Sequence, residues 1–412
     1  MSLSTQPYKG TRDFYPDDMR TRKWMFAKWR KVVESFGYEE YDGPILEPLE
    51  LYTAKTSEEI VNDQSFNFED RGGRRVVMRP EMTPTVSRMV AGRRQELGYP
   101  LRLYSIPNCF RYERQQRGRL REFWQLNVDL FGLEGIEADV ENIQIADALL
   151  KEFGANENQY EIRVNSRKYM NSIYDELELS DEEKKTITGL IDKKAKIDST
   201  EFEKIFREKL GEEKATKLLK VLNNNDAIPE SIGQLIGSLE KHGVKNVTFE
   251  PSIARGFEYY TDIVFEVFDK TPENNRSMFG GGRYDGLVGE FGVEPVPTVG
   301  FGMGDVTFQN FLESNKLLPE QTSETDVYII VIGDVLTEAQ KVAQALREKG
   351  VNVAVDISGR KTDKQITNAN KKNISYKVFV GSEEVSSQLY SVDGQNQKLS
   401  LDQIVSLIKS SK

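Results

Sequence analysis

Apolar and polar side chains alternate along residues 122–131. Trp124, Leu126, Val128 and Leu130 share one parity, and Gln125, Asn127 and Asp129 share the other. Side chains alternate faces along a strand, so this segment predicts a strand with one apolar face and one face carrying two amides and a carboxylate. Phe110 and Arg111 belong to a preceding antiparallel strand, joined to it by a basic loop with Arg114, Arg117 and Arg119. By itself the pattern fits a half-buried hairpin with a solvated basic turn as well as an anion site beside a polar floor.

Upstream the period is helical. Met25, Trp29, Val32 and Val33 place an amphipathic helix over Asp17–Ser35, with Asp17 or Asp18 as cap and Gly37 as stop. Glu39–Leu51 reads as a strand broken by Pro44 and Pro48, hence an edge or a bulge. Phe66–Met78 reads as two strands around Asp70-Arg71-Gly72-Gly73. Pro80 keeps Arg79 out of helix, which leaves Glu81 and Thr83 in a connection before the next helix. There they serve equally well as a helix cap or as short polar groups that meet a ligand. A helix over Ala138–Phe153 and a short strand over Tyr160–Asn165 follow.

From Ser166 to Val244 the pattern is helical and rich in Lys and Glu, with few strand signals. It reads as an insertion between two parts of one domain. Strand pattern resumes at Val247 and again at Ile263–Val267. Leu312–Thr325 has the composition of a linker. Beyond it strands at Val327–Ile332, Val351–Val355 and Tyr376–Val380 alternate with helices at Glu338–Lys349 and Lys361–Asn370, a small α/β domain. The expected organisation is an α+β domain with an antiparallel sheet in two parts, 1–165 and 247–320. A helical insertion at 166–246 separates them, and a C-terminal α/β domain covers 321–412.

Length and charge sharpen this picture. A chain of 412 residues calls for two to four domains. The net charge of −10 argues against a generally basic nucleic-acid coat. Yet Arg102–Arg121 holds six Arg and one Glu, or +5. From Thr325 onward 12 basic and 10 acidic residues give +2, leaving −12 for the rest. The one cysteine, Cys109, rules out an intrachain disulfide and suits a reducing cytosol. The N-terminus lacks an apolar signal core, and no run approaches a membrane span, so a cytoplasmic protein is expected.

Several stretches resemble one family. Phe110-Arg111-Tyr112-Glu113-Arg114, the basic loop and the strand after it resemble motif 2 of class II aminoacyl-tRNA synthetases. Gln125-Leu126-Asn127-Val128-Asp129-Leu130-Phe131-Gly132 narrows this to the histidyl-tRNA synthetases. Arg79-Pro80-Glu81-Met82-Thr83, Arg255-Gly256-Phe257-Glu258-Tyr259-Tyr260 and Gly281-Gly282-Arg283-Tyr284-Asp285-Gly286-Leu287 match further family motifs. Gly10-Thr11-Arg12-Asp13 is similar to the family's opening, and Asn370–Tyr376 resembles the anticodon-binding domain of several class II enzymes.

The resemblance implies ATP-dependent ligation of L-histidine to histidine tRNA through an adenylate, by a homodimer, with Mg2+ carried on ATP and no protein metal cage. It implies that Arg111 and Arg255 hold the α-phosphate as catalytic residues, Arg255 doing work that other synthetases give to a metal. Glu81 and Thr83 bind the α-amino group, and Gln125, Asp129, Tyr259 and Tyr260 the rest of histidine. Many family members carry Glu where Asp129 stands. Arg119 meets the outer phosphates, and Gly302 and Gly304 lie under adenine. Arg114, Gln115, Gln116 and Arg117 face the tRNA acceptor end. The insertion reaches toward the acceptor stem.

One departure stands out. Pro297–Phe308 occupies the place of motif 3, but Val306 and Thr307 replace its usual Glu-Arg pair. That arginine normally packs over adenine and reaches the terminal phosphate. If the enzyme is active, Arg119 and at least one other arginine must take over, with Arg283 and Arg79 as candidates. The alternative is a noncatalytic paralogue, acting as a histidine sensor or as the regulatory subunit of ATP phosphoribosyltransferase.

Overall fold

The computed structural model describes residues 3–53, 64–114, 116–192, 194, 197–225, 227–254, 259–271, 276–320 and 322–410. The chain divides into two compact units, Met1–Leu318 and Pro319–Lys412.

The first unit is organised around one large sheet. Its described strands are β1 (Glu39–Glu40), β5 (Leu101–Ser105), β6 (Asn108–Phe110), β7 (Glu122–Phe131), β8 (Tyr160–Ser166), β9 (Val247–Phe249), β10 (Ile263–Asp269), β11 (Ser277–Arg283) and β12 (Thr298–Gly304). They run in the order β1-β5-β7-β12-β11-β10-β8-β9, with β6 pairing the start of β7. The centre is antiparallel, and only the edge pairs β1–β5 and β8–β9 are parallel.

The apolar parity of β7 is the core side. Leu126, Val128 and Leu130 pack with Met25, Trp29, Val32 and Val33 of the helix Pro16–Ser35 and with Ile143, Ala146, Leu149 and Leu150 of the helix Glu137–Glu152. The polar parity is also buried at Asn127 and Asp129, so the strand is not the half-wet ribbon that alternation alone allows. That face is roofed by other protein and holds the site.

Glu39–Leu51 is not one interrupted strand. β1 joins the large sheet, while β2 (Leu46–Pro48) pairs with β4 (Arg75–Met78) in a second sheet completed by β3 (Phe66–Glu69). Gly43 and Pro44 lie where the chain crosses between the two, and a short helix, Glu50–Thr53, follows at once.

Between β8 and β9 the described chain is helical. Phe202, Phe206, Leu218 and Leu222 share a core with Met170, Tyr174 and Ile187 that is distinct from the main one. The last helix of this stretch, Glu230–Lys241, differs: Ile232, Leu235 and Leu239 pack into the main core. The charged pattern that made the whole stretch look uniform records solvent exposure and does not tell which core each helix joins.

The second unit is a small sheet in the order β14 (Val353–Val355), β13 (Val327–Val331), β15 (Tyr376–Val380), β16 (Ser391–Val392). The first three are parallel, and β16 adds an antiparallel edge that the sequence pattern did not announce. The helices Leu336–Glu348 and Leu401–Ser410 cover one face with Ala339, Leu346, Ile404 and Ile408.

Candidate active site

The register of β7 against β12 sets the floor. Asp129 lies opposite Gly300, Asn127 opposite Gly302, and Gln125 opposite Gly304. A Cβ on Gly300 would collide with the Asp129 carboxylate, and one on Gly302 with the Gln125 amide. Gly300 and Gly302 are therefore what lets the Asp129 and Gln125 side chains lie across the neighbouring strand.

Asp129 is 1 % exposed, and burial pushes its carboxyl up to about 7, opposed by hydrogen bonds. The Tyr284 hydroxyl donates to its Oδ1. Tyr284 ends up there because Arg283 is anchored behind it. The Arg283 guanidinium pairs with buried Asp139 at 2.5 Å and donates to the carbonyls of Leu133 and Gly135. Asp285 accepts from the Thr298 amide at 3.0 Å and from the Thr261 hydroxyl at 3.1 Å. The motif 281–287 thus clamps two strand ends and aims one tyrosine inward.

Tyr259, Tyr260 and Tyr284 form a box, with ring centroids 4.8, 5.6 and 6.4 Å apart. Strand alternation would have sent Tyr259 and Tyr260 to opposite sides. They precede β10, which starts at Ile263, so both turn the same way. The Tyr259 hydroxyl donates to Glu81 Oε2 at 3.2 Å. Glu81 is 3 % exposed, and Thr83 opens the helix Thr83–Arg93 beside it. An acidic group at one end of an aromatic box and a second carboxyl at the other suit a small ligand with two cationic or N–H-bearing ends. Arg167, unnoticed in sequence, donates to the carbonyls of Tyr260 and Ala254 at 3.3 and 3.1 Å. Arg255 lies outside the described residues, as does Gln115.

The basic loop forms the second half. Arg111 Nε donates to the Pro80 carbonyl at 2.9 Å, and its guanidinium lies 5.3 Å from the Phe123 ring centre. Glu113 stands between two cations, 3.9 Å from Arg111 and 3.3 Å from Arg119. Those guanidiniums are donors an incoming phosphate could share. Arg114, Gln116 and Arg117 are exposed. Gln116 and Arg119 bridge to each other, so Arg117-Gly118 is a two-residue tip with Gly118 at φ +82°.

That tip rests on the place where motif 3 departs from its pattern. A Cβ on Gly118 would lie 3.2 Å from the Thr307 methyl carbon. The Thr307 hydroxyl is occupied, donating to the Met278 carbonyl at 2.9 Å. The same helix opens with Asp305, which accepts from Arg12 at 2.7 Å and from the Trp124 amide at 3.0 Å. Neither arginine named as a substitute is available. Arg283 is locked to Asp139, and Arg79, 2 % exposed, is held by Asp42 and by the carbonyls of Gly43 and Asn108. Sequence spacing put both next to ligand motifs but could not show that each is consumed by the scaffold.

Comparison with known proteins agrees with this architecture. The family model described as histidyl-tRNA synthetase matches residues 10–304, and that of an anticodon-binding domain matches 326–411. A histidine–tRNA ligase of Leptospira biflexa is 41 % identical over 401 residues, 93 % of this chain and 92 % of that one. One from Thermoplasma volcanium is 35 % identical over 431 residues, with 99 % of each covered. Among solved structures, histidyl-tRNA synthetase from Nostoc sp. PCC 7120 superposes with a TM-score of 0.83 at 23 % identity, covering 100 % of both chains. A Bacillus halodurans protein described as an ATP phosphoribosyltransferase regulatory subunit/histidyl-tRNA synthetase gives 0.75 at 23 % identity, over 92 % of this chain and 99 % of that one, a likeness of fold. With a family model spanning the catalytic unit, and full-length relatives above 30 % identity, the chain belongs to the histidyl-tRNA synthetase family.

Proposed function

We propose that this protein ligates L-histidine to histidine tRNA at the expense of ATP, through a histidyl-adenylate. One juxtaposition carries the reading. Buried Glu81, bonded to Tyr259, and buried Asp129, bonded to Tyr284, face a box of three tyrosine rings. Glu81, with Thr83, takes the α-ammonium group. Asp129, Gln125, Tyr259 and Tyr260 take the side chain.

The phosphate side follows from the loop. Arg111 and Arg255 hold the α-phosphate while the histidine carboxylate attacks in line and pyrophosphate leaves. Arg119 meets the outer phosphates, and adenine lies along Gly302 and Gly304. Mg2+ carried with ATP would supply further positive charge at the phosphates, beside Arg111 and Arg119. Arg114, Gln115, Gln116 and Arg117 meet the acceptor end of the tRNA. The C-terminal unit binds the anticodon, and the helical stretch at 166–246 serves as the insertion of a four-part chain.

The active form is a homodimer in the cytoplasm. Ile45 and Leu46 in and beside β2, and Phe68 on β3, are 45, 49 and 49 % exposed, an apolar face that suits a second copy. No described helix is long and apolar enough to cross a membrane. The Val306-Thr307 departure is the feature a regulatory paralogue would share, but the anticodon-domain match at 326–411 and the relatives named histidine–tRNA ligase favour the enzyme.

Charging of tRNA tests the reading. Purified chain, ATP–Mg2+ and total tRNA should incorporate labelled histidine, with no other amino acid above background. Absence of histidyl-tRNA from a folded preparation would reject it.

A further inference from the structure

Four buried polar atoms remain without a hydrogen-bond partner around one point of the site floor. They are the Tyr41 hydroxyl, the Ser105 hydroxyl, the Asn127 carboxamide oxygen and Asp129 Oδ2. Ser105, Asn127 and Asp129 are 1, 2 and 1 % exposed. The fold brings the four together. Ser105 pairs with Asn127 across β5 and β7, and Asp129 is two residues further along the same face. Tyr41 enters from the segment after β1, where its amide donates to the Tyr104 carbonyl at 2.9 Å, next to Ser105. On the other side Gly302 and Gly300 stand opposite Asn127 and Asp129 and put no side chain in the way.

Tyr41 sits near enough to Asp129 to favour its ionised form, and Ser105 near enough to Tyr41 to favour the phenolate, yet the Tyr41 hydroxyl makes no well-formed hydrogen bond to either. The donor and acceptor count is complementary. Two hydroxyls can donate, and a carboxamide oxygen and a carboxylate oxygen can accept. One water molecule supplies two acceptor sites and two donors and satisfies all four. Burial of four such groups without that partner would be costly.

We propose that Tyr41, Ser105, Asn127 and the free oxygen of Asp129 enclose one ordered water, through which Tyr41 and Ser105 act as positioning residues for the carboxylate that meets the histidine side chain. The water and Tyr284 then hold Asp129 from both oxygens. A carboxylate has about four lone-pair sites, so two such anchors leave room for an imidazole N–H. The water serves as the filler behind an aspartate, one methylene shorter than the glutamate many family members carry. This inference rests on the reading of Asp129 as a histidine-binding residue.

Tyr41→Phe and Ser105→Ala test it, with Asp129→Asn as reference. The readout is the KM for histidine and for ATP in histidine-dependent ATP–pyrophosphate exchange. Each of the first two should raise the histidine KM by about tenfold, the loss of one buried hydrogen bond to a charged network. The ATP KM should stay within about twofold, which general loosening of the fold would not spare. Because both variants break the same water site, the double variant should lose much less than the product of the singles. A crystal structure of the wild-type enzyme with histidine should show a water bonded to Tyr41, Ser105 and Asp129. If Tyr41→Phe and Ser105→Ala keep the wild-type histidine KM while Asp129→Asn raises it, the water site is wrong and the pocket stands. If Asp129→Asn also keeps it, the pocket assignment fails and this inference falls with it.

Discussion

Asp129 is the residue on which most turns. Its carboxyl is raised to about 7 by burial, from an ordinary value of 3.8. A raised carboxyl favours the folded state in acid, and that contribution disappears as pH rises through about 7. Stability of the ligand-free enzyme from this group should therefore fall between about pH 4 and pH 7 and level off above that. Histidine binding should move oppositely, since the ionised form is the stronger acceptor of an imidazole N–H. Going from pH 8 to pH 6 should weaken histidine binding by about tenfold relative to Asp129→Asn, in which the dependence flattens. Calorimetric titration with histidine at several pH values checks this, and parallel profiles for the two proteins would contradict it.

Arg283 shows the opposite kind of residue. Its motif resembles a ligand site, but its charge is spent on Asp139. Arg283→Ala should destabilise the fold by about 3–5 kcal/mol, the cost of stranding one member of a buried ion pair. Thermal or urea unfolding measures it. A variant of normal stability with a selectively weaker ATP KM would restore Arg283 to the nucleotide site. Much of this residue scale was legible beforehand. Gln125, Asp129, Glu81 and Tyr260 were named from motifs, and the parity of β7 already separated core from floor. Tyr41, Ser105 and Arg167 were not, because their roles come from strand neighbours and chain crossings that no local pattern encodes.

At the scale of elements, the loop tip on Thr307 explains the altered motif 3. A glycine at φ +82° and a short side chain beneath it let the turn Gln116–Arg119 lie on the first turn of the helix Asp305–Ser314. An arginine at 307 has to displace that turn. Restoring the family residue with Thr307→Arg should therefore harm the enzyme, raising the ATP KM by roughly tenfold, because it evicts Arg119 from its place. Kinetics at saturating histidine decide the matter, and an improved ATP KM would refute the packing argument. The sequence displayed the missing arginine plainly. It could not display the loop lying over the vacated position, since that contact joins residues nearly two hundred positions apart.

On the scale of the whole molecule, the activating chemistry and the C-terminal unit, which carries +2 from Thr325 onward, lie in separate compact bodies. A chain ending at Leu318 should still activate histidine and should charge tRNA poorly, which parallel exchange and charging assays would report. Affinity of the full chain for tRNA should fall as salt rises, because phosphate contacts release counterions. The division was legible in the linker composition and in the change of period after Thr325. The membership of Glu230–Lys241 in the main core was not, because an amphipathic helix announces an apolar face without naming the surface it meets.

The central claim is that this rearranged site works. Histidine-dependent ATP–pyrophosphate exchange by the purified full-length chain tests it most directly. The account predicts exchange that needs histidine and Mg2+, and that falls by roughly two orders of magnitude in Arg255→Ala, as loss of one preorganised charge-stabilising donor does. A folded chain that binds histidine yet shows neither exchange nor ATP binding in calorimetry would contradict it.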